Sequence, residues 1–275
     1  MVSKELQSEL REKYNPEGSI LREHQKRMLS ILEVVADICE REGIQYWLTH
    51  GTLLGAARHG GFIPWDDDLD ICIFRKDIRK FREIMISELP DNLVLQCHQT
   101  DKNYYHPYYK IRDLNSEMNE TGKEDLNYRF KGIFIDIFPL EKNHLSWTKI
   151  TYSVWGRVLY GCILPKPLNP VRLVINRFLY FSFSILFQTC RILEFLLPSK
   201  TWNLPYGCYI DYAPGGFIDK DIIPPHTNNL VKFEGRVFLC PNDVNSYLTA
   251  LYGDYNKLPN LEKIHHHITD IKIWN

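Results

Sequence analysis

A dense group of aspartates stands out in residues 50–74, HGTLLGAARHGGFIPWDDDLDICIF. Asp68 and Asp70 lie two positions apart at the head of an apolar run, and Asp66 comes just before them. Side chains alternate between the faces of a strand, so Asp68 and Asp70 point to the same face. Adjacent carboxylates repel unless a cation lies between them or one is protonated. Hard oxygen ligands suit Mg²⁺ or Mn²⁺, so this stretch predicts a divalent-cation site; a solvated acidic turn is the alternative.

One further carboxylate, Asp136, is enclosed by apolar residues in Ile133–Phe138. A charged side chain in such a strand is costly unless it is paired or bound to metal. If this strand lies beside Leu69–Phe74, the three carboxylates converge and could bridge two metal ions about 3.5–4 Å apart. A strand-end residue that faces water is the other interpretation of Asp136.

Phosphate-binding candidates flank these acids. Phosphoryl transfer needs metal ions, donors that hold the phosphates and a nucleophile placed in line. Gly51 and Thr52, at the start of a short helix, could offer backbone N–H groups to a phosphate. Arg58, Lys110 and Arg112 are predicted phosphate partners, because all three are cationic and the guanidinium of an arginine suits bidentate binding. Ordinary surface charge is the alternative for these three.

Aromatic residues cluster on both sides of the acidic run. Trp65 precedes it, and Tyr104, Tyr105, Tyr108 and Tyr109 follow it. Aromatic faces can stack on a base or hold a quaternary ammonium group. Trp65 and Tyr108 are therefore predicted ligand contacts, against the alternative that these rings only pack within strands and loops.

Composition narrows the class of protein. The 275 residues fit one large domain or two small ones. With 33 basic and 34 acidic residues there is no overall field to attract nucleic acid, so no nucleic-acid partner is expected. Seven scattered cysteines without a CxxC motif disfavour a disulfide framework and a cysteine zinc site, which fits a reducing cytoplasm. The charged N-terminal sequence lacks the apolar core of a secretory signal.

Hydrophobic periodicity predicts a mixed sheet with packed helices, built mainly within residues 20–140. A helix begins after Ser19 and stops at Gly43. Near the C-terminal end, residues 232–239 resemble a hairpin, and Asp243 is expected to cap a helix over 244–251. The other predicted strands are 44–49, 69–74, 93–98, 108–112 and 133–138, and the other predicted helices are 53–58 and 76–89.

The segment from Lys166 to Lys200 is apolar, with five basic residues and one acidic residue. Its longest uncharged run, Phe178–Cys190, has 13 residues. A bilayer crossing takes about 20, which predicts that the segment does not span a membrane. Two interpretations stay open: an interfacial segment on an anionic membrane, or a buried helix whose arginines reach outward. We expect a cytoplasmic protein, peripheral on the inner face of the membrane under the first interpretation.

The order of strand, Gly-Thr, helix, DxD strand and later single aspartate resembles the nucleotidyltransferase-fold superfamily. The string HGTLLGAARHGGFIPWDDDLDI resembles the LicD family, which includes fukutin and fukutin-related protein. The resemblance continues in GIFIDIFPL (132–140) and FEGRVFLCPNDVNSYLTALYGDY (233–255), and no match is evident over about 141–230. It implies an α+β fold, a nucleotidyltransferase-fold mixed β-sheet core flanked by helices. The expected parts are an N-terminal extension (1–19), the catalytic core (20–140), a variable helical region that contacts acceptor (141–230) and a C-terminal block (231–275).

The resemblance also implies an activity. LicD-like enzymes move phosphocholine from CDP-choline to a cell-surface glycan precursor and release CMP, and relatives move ribitol phosphate from CDP-ribitol. The expected cofactor is Mg²⁺ or Mn²⁺. The expected partners are CDP-choline or another CDP-alcohol and a glycan acceptor, lipid-linked or nascent. Two alternatives are transfer of a nucleotide from an NTP to a small molecule or protein, and a membrane-surface binding module without catalysis.

The family's functional positions can be carried over residue by residue. Asp68 and Asp70 match the metal-binding DxD, Asp66 matches an acidic position just before it, and Asp136 matches the third carboxylate. The pair Gly51-Thr52 matches the phosphate-side turn. Asp68, Asp70 and Asp136 are thus the expected catalytic residues, and Asp136 is the preferred acceptor of the proton from the attacking hydroxyl.

Overall fold

The structure is a computed structural model that describes residues 2–120, 124–142, 153–164, 166–196, 206–207, 229–264 and 268–274. The helices are α1 (Lys4–Tyr14), α2 (Ile20–Arg41), α3 (His50–His59), α4 (Ile78–Glu88), α5 (Pro170–Leu196) and α6 (Val244–Tyr252), with shorter helical turns at Glu124–Asn127, Leu159–Ile163 and Leu261–Lys263. The strands are β1 (Tyr46–Leu48), β2 (Asp70–Phe74), β3 (Leu93–Gln96), β4 (Tyr109–Asp113), β5 (Ser116–Glu120), β6 (Phe134–Lys142), β7 (Tyr206–Gly207), β8 (Leu230–Phe233), β9 (Arg236–Leu239) and β10 (Ile268–Ile273).

The central sheet has the strand order β1-β2-β6-β4-β3, and β7 pairs with β6. Strands β2 and β6 run parallel, and their register places Asp70 opposite Asp136. The neighbouring pairs β1–β2, β4–β6 and β3–β4 are antiparallel. The predicted α+β fold with a mixed sheet is thus confirmed, and so is the adjacency of the two aspartate-bearing strands.

Strands β2 and β6 occupy the middle of the sheet because both of their faces are apolar. Ile71, Ile73, Ile135 and Ile137 are all fully buried. Near-continuous apolar runs of this kind are typical of strands covered on both sides. Asp70 and Asp136 therefore project from two strands whose neighbouring side chains are buried in the core.

Helix α2 packs one apolar face against the sheet, as its periodicity predicts. Met28, Leu32 and Val35 are fully buried and follow a spacing of three to four residues. Ser19 caps the helix by accepting a hydrogen bond from the N–H of Arg22 at 3.2 Å. The capped start and the apolar stripe together fix this helix against β6 and β4.

Helix α5 corrects the length argument made from the sequence. It runs over 27 residues, and its Pro170–Cys190 part is long and apolar enough to cross a membrane by length and composition. The count of 13 uncharged residues was the wrong measure of length, because Arg172 and Arg177 lie within the helix and do not end it. Only 11% of the Pro170–Cys190 window is buried, so the helix is also not a buried core helix.

The two ends of the chain pack onto the central domain. Leu10 of α1 is buried in the same core as the sheet, and β10 pairs with β5. The proposed division at residues 19, 140 and 230 stays a prediction, since a large part of the region 141–230 lies outside the described residues.

Glu234 joins the β8–β9 hairpin to this domain. Its carboxylate accepts hydrogen bonds from Arg22 (2.7 Å), Arg11 (3.4 Å) and the N–H of Phe62 (3.0 Å). The contact also needs a glycine at position 61, because a Cβ there would lie 2.0 Å from Glu234 Oε1. The Glu234 side chain is only 6% exposed, so its charge depends on these donors.

We expect Glu234→Ala to lower the free energy of unfolding by about 2–3 kcal/mol, because the largely buried Arg22 guanidinium loses its buried carboxylate partner and keeps only the exposed Glu17. Urea unfolding at neutral pH measures this. The matched control is Glu83→Ala, which removes an exposed ion pair with Arg79 and should cost less than about 0.5 kcal/mol. Equal losses in the two variants would contradict this role for Glu234.

Candidate active site

Four carboxylates line one cavity of about 520 Å³ beside the first turn of α3. They belong to Asp66, Asp68, Asp70 and Asp136. Three come from the acidic run 66–70, whose last residue Asp70 begins β2, and the fourth comes from β6, which the parallel register holds next to β2. The structure therefore brings together all four residues that the sequence selected as metal ligands.

Backbone hydrogen bonds fix the acidic run against α3. The hydroxyl of Thr52 accepts a hydrogen bond from the N–H of Asp70 at 2.8 Å. The carbonyl of Asp70 in turn accepts one from the N–H of Thr49 at 3.2 Å. The side chain of Thr52 thus positions Asp70, a role that its predicted place in a phosphate-binding turn did not reveal.

Gly51 allows the first turn of α3 to approach the carboxylates closely. A Cβ at this position would lie 2.8 Å from Asp66 Oδ2 and 3.7 Å from Asp68 Oδ1. The first N–H groups of a helix have no intrahelical acceptor, and they attract anions. Gly51 lines the cavity, so this turn can present backbone donors to a phosphate there.

Burial and mutual repulsion keep these acids away from their ordinary ionisation. Burial raises the pKa of Asp66 and of Asp70 well above the usual range, and the charge of Asp68 raises both further. Burial also raises the pKa of Asp136 to about 6, against the opposing effect of Lys110. In the absence of a cation, the cluster resists full ionisation at neutral pH.

Lys110 is the cationic neighbour of this cluster. Its Nζ lies 3.2 Å from Asp136 Oδ1 and 3.7 Å from Glu120 Oε1, and it sits over the ring of Phe134 at 3.3 Å. The side chain is buried, and it lies behind Asp136, outside the set that lines the cavity. Its observed contact is with a carboxylate of the site, which makes it a positioning residue for Asp136.

The other two predicted phosphate partners lie away from the cavity lining. The Arg112 side chain is fully buried and donates to Gln96, to the carbonyl of Gly132 (2.9 Å) and to Glu120 (2.8 Å). Arg112 thus shares the carboxylate of Glu120 with Lys110. Residue type alone suggested that Arg112 binds an anion, and could not show that protein groups already accept the hydrogen bonds of its guanidinium.

Arg58, near the end of α3, also donates its hydrogen bonds to protein groups, as Arg112 does. It is buried and donates to the carbonyls of Tyr255 (3.0 Å) and Lys257 (3.1 Å), in the segment after α6. Burial lowers its pKa, while the charge of Asp66 raises it. Arg58 therefore connects the C-terminal segment to α3 and acts on the acidic cluster through its charge.

The two aromatic residues chosen from the sequence are buried. Trp65 packs edge-on against Tyr14 with ring centroids 5.4 Å apart, and Tyr108 packs against Phe138 at 4.9 Å. Neither lines the cavity. Their neighbours are other protein rings, which agrees with the packing alternative.

Different aromatic rings line the cavity: those of Phe138, Tyr160, Tyr252 and His50. Phe138 could have been found, because it lies two residues after Asp136 on the same strand and so shares its face. Tyr252 could also have been found, since it lies within the C-terminal string 233–255 that carries the family resemblance. Tyr160 lies outside the three strings that carry the family resemblance, so no motif marks it.

The donor set suits a hard divalent cation without forming a complete cage. Among the described residues, no three carboxylate, imidazole or thiolate groups already stand at metal-ligand distances. Mg²⁺ commonly binds through one or two carboxylates, waters and substrate phosphates rather than through an all-protein cage. Clustered carboxylates beside a helix start fit that kind of shared coordination.

Comparison with known proteins agrees with this geometry. A family model described as "LicD/FKTN/FKRP, nucleotidyltransferase domain" matches residues 43–160. The lipopolysaccharide cholinephosphotransferase LicD of Haemophilus influenzae is 30% identical over 260 residues, which cover 90% of this chain and 96% of that protein. The chain belongs to the LicD family. The match extends over nearly the full length of both proteins.

More distant LicD-family relatives match over shorter lengths. The ribitol-5-phosphate transferase FKTN of Mus musculus is 27% identical over 180 residues, 66% of this chain and 34% of that protein. The ribitol 5-phosphate transferase FKRP of Homo sapiens is 44% identical over 54 residues, 20% of this chain and 11% of that protein. The relatives compared here are thus named as transferases of two different alcohol phosphates.

The raised pKa values predict how the metal-free protein responds to pH. A carboxyl with a raised pKa in the folded state binds its proton more tightly there, so its contribution to stability falls as pH rises above about 4. In EDTA, Asp70→Asn should therefore match the parent near pH 4 and exceed it in stability near pH 7. Urea unfolding at both pH values measures the difference.

The matched control for this prediction is Asp254→Asn, at an exposed surface ion pair with Lys257. Its effect should be small at both pH values. A parent that is more stable than Asp70→Asn near pH 7 in EDTA would contradict the repulsion inferred for the cluster.

Proposed function

We propose that this protein transfers phosphocholine, or a similar alcohol phosphate, from a CDP-activated donor to a hydroxyl of a cell-surface glycan precursor and releases CMP. Family membership supports transfer of an alcohol phosphate. The LicD of Haemophilus influenzae, which is named as acting on lipopolysaccharide, supports a glycan acceptor.

The observation that carries the proposal is the gathering of four carboxylates in one cavity by β2 and β6. A cluster of buried like charges destabilises the protein unless a ligand offsets the repulsion. A binding module without catalysis would have no physical need for it. Transfer of a phosphoryl group needs such a site, because the charge on its phosphates has to be neutralised.

Asp68, Asp70 and Asp136 would hold Mg²⁺ or Mn²⁺, with Asp66 beside them. When bound, the cation would neutralise the phosphate oxygens of donor and leaving group. The first turn of α3, at Gly51, would hold the diphosphate through backbone N–H groups. Phe138 and the start of α3 line the cavity beside the carboxylates.

Asp136 is assigned as the base in this proposal. The acceptor hydroxyl attacks the distal phosphorus, a new oxygen–phosphorus bond forms, and the bond to CMP breaks. The hydroxyl proton passes to the Asp136 carboxylate. Lys110 at 3.2 Å favours the ionised form of Asp136 before the reaction, while burial holds its pKa high enough to accept a proton.

The aromatic wall favours choline as the transferred alcohol. Phe138, Tyr160 and Tyr252 place ring faces or edges in the same cavity as the four carboxylates. A quaternary ammonium group binds to aromatic faces and is attracted by surrounding negative charge. Ribitol carries no positive charge and would gain less from these rings.

A second candidate is transfer of a nucleotide from an NTP. The description of the matching family model as a nucleotidyltransferase domain favours it. The same cluster would serve, but the alpha phosphorus would be attacked and pyrophosphate would leave. Labelled NTP that leaves its nucleoside monophosphate on a product would identify this reaction.

We predict that Mg²⁺ or Mn²⁺ raises the melting temperature of the parent and that the parent releases CMP from CDP-choline in the presence of a glycan acceptor. Asp68→Asn should remove the metal-induced rise and lower CMP release by about 10³-fold or more, because the cation loses a ligand. Thermal shift and CMP quantification measure the two effects. Asp91→Asn, at an exposed position before β3, is the control and should behave as the parent.

No CMP release from CDP-choline, CDP-ribitol or CDP-glycerol with a broad panel of acceptors would contradict the proposed transfer. A metal-induced rise in melting temperature that survives in Asp68→Asn would show that the cation binds elsewhere.

The choline preference has a separate test at Tyr252. Tyr252→Leu should raise the KM for CDP-choline by about tenfold, because it removes an aromatic face while keeping apolar bulk. Tyr252→Phe retains the ring and should stay close to the parent. Steady-state kinetics with CDP-choline and CDP-ribitol separate the effects; an equal change for both donors would contradict a role in holding the ammonium group.

A further inference from the structure

Helix α5 presents a continuous apolar face to solvent. Val171 and Val174 are each 68% exposed, and Phe178 is 67% exposed. The exposed apolar positions recur every three or four residues, which places them on one side of the helix. They are Val171, Val174, Ile175, Phe178, Phe181, Ile185 and Ile192.

The opposite face of α5 is fixed to the globular domain. Tyr180 packs against His98 with ring centroids 4.1 Å apart, and Phe183 packs against Trp155 at 4.7 Å. Cys190 on the same side is fully buried. A helix that crossed a bilayer in this arrangement would draw these domain residues into the hydrocarbon, so the packing favours a helix that lies along a surface.

The charges around α5 suit an anionic surface. Basic residues are concentrated near the start of the helix. Lys166 precedes it, Arg172 and Arg177 lie within its first two turns, and Arg177 is exposed. The sequence from Lys166 to Leu193 contains no acidic residue. An exposed apolar face with basic residues at its start complements a bilayer whose headgroups are negatively charged.

Side-chain contacts connect α5 to the wall of the acidic cavity. Tyr105 packs against Tyr180 of α5 at 5.5 Å between ring centroids. The next residue, His106, packs against Tyr160 at 5.7 Å, and Tyr160 lines the cavity. Packed aromatic side chains therefore connect the domain face of α5 with the lining of the cavity.

We propose that α5 is an interfacial helix that docks the protein on an anionic lipid bilayer, with Phe178 and Phe181 inserted among the acyl chains. The helix lies in the plane of the membrane and its Tyr180 face stays on the domain. Arg172 and Arg177 contribute attraction to the negatively charged headgroups. Docking is a binding property of this surface and does not depend on which reaction the acidic cavity performs.

The test is sedimentation of the full chain with vesicles. The protein should co-sediment with phosphatidylcholine vesicles that contain phosphatidylglycerol. A smaller fraction should co-sediment with pure phosphatidylcholine vesicles. The double variant Phe178→Gln/Phe181→Gln should lower the vesicle partition coefficient by about tenfold or more for each phenylalanine. Added salt should weaken binding in part, because only the charged contribution is screened.

The matched control is Ile86→Gln, at an apolar side chain of α4 that is 45% exposed. It should bind vesicles as the parent does. Unchanged circular dichroism and melting temperature of the double variant would show that it is folded, since exposed substitutions seldom destabilise. Release of CMP from CDP-choline in the presence of a water-soluble acceptor should remain in the double variant, which separates docking from chemistry.

Four outcomes would overturn the proposal. The first is a parent that binds vesicles of neither composition, and the second is a double variant that binds as tightly as the parent. The third is membrane-bound protein that resists extraction at alkaline pH, which would show a spanning helix. The fourth is a stable dimer in sedimentation velocity that the double substitution dissociates, which would show that a second copy covers this face.

Discussion

The parallel pairing of β2 with β6 is the constraint on which the candidate site depends. It places Asp70 directly opposite Asp136, although the two residues are far apart in the sequence. Both strands are anchored by fully buried isoleucines, so the sheet can hold like charges together. Without that apolar support, the repulsion of the carboxylates would separate them.

Two sets of polar contacts make this arrangement tolerable. On one side, Thr52 accepts a hydrogen bond from the backbone of Asp70 and fixes the start of β2. On the other side, Lys110 lies between Asp136 and Glu120, and Arg112 completes the charge network. The protein therefore balances part of the negative charge with fixed cations and leaves the cavity side of the cluster to a ligand.

The sequence predicted the fold well where one physical signal decided the outcome. The apolar runs of β2 and β6 and the capped, periodic α2 all agree with their patterns, because burial alone determines them. The cost of a charge inside an apolar strand also selected Asp136, and the structure then showed that its strand lies beside β2. The structure accordingly holds the predicted acidic residues in one cavity, while their roles stay predictions.

The sequence was less informative about side chains whose role depends on their partners in the folded structure. Arg58 and Arg112 are of a residue type that often binds anions. Only the fold shows that their guanidinium groups already donate hydrogen bonds to backbone carbonyls, Gln96 and Glu120. Trp65 lies beside the acidic run in sequence, whereas Tyr252 reaches the cavity from α6. The length of α5 was also hidden, because Arg172 and Arg177 interrupt its apolar run without ending the helix.

The most direct measurement is a crystal structure of the protein with Mn²⁺ and CMP, with the metal located by anomalous scattering. The account predicts manganese between the carboxylates of Asp68, Asp70 and Asp136, with the CMP phosphate among its ligands near Gly51. Manganese bound at another place, or a CMP phosphate away from these aspartates, would contradict it.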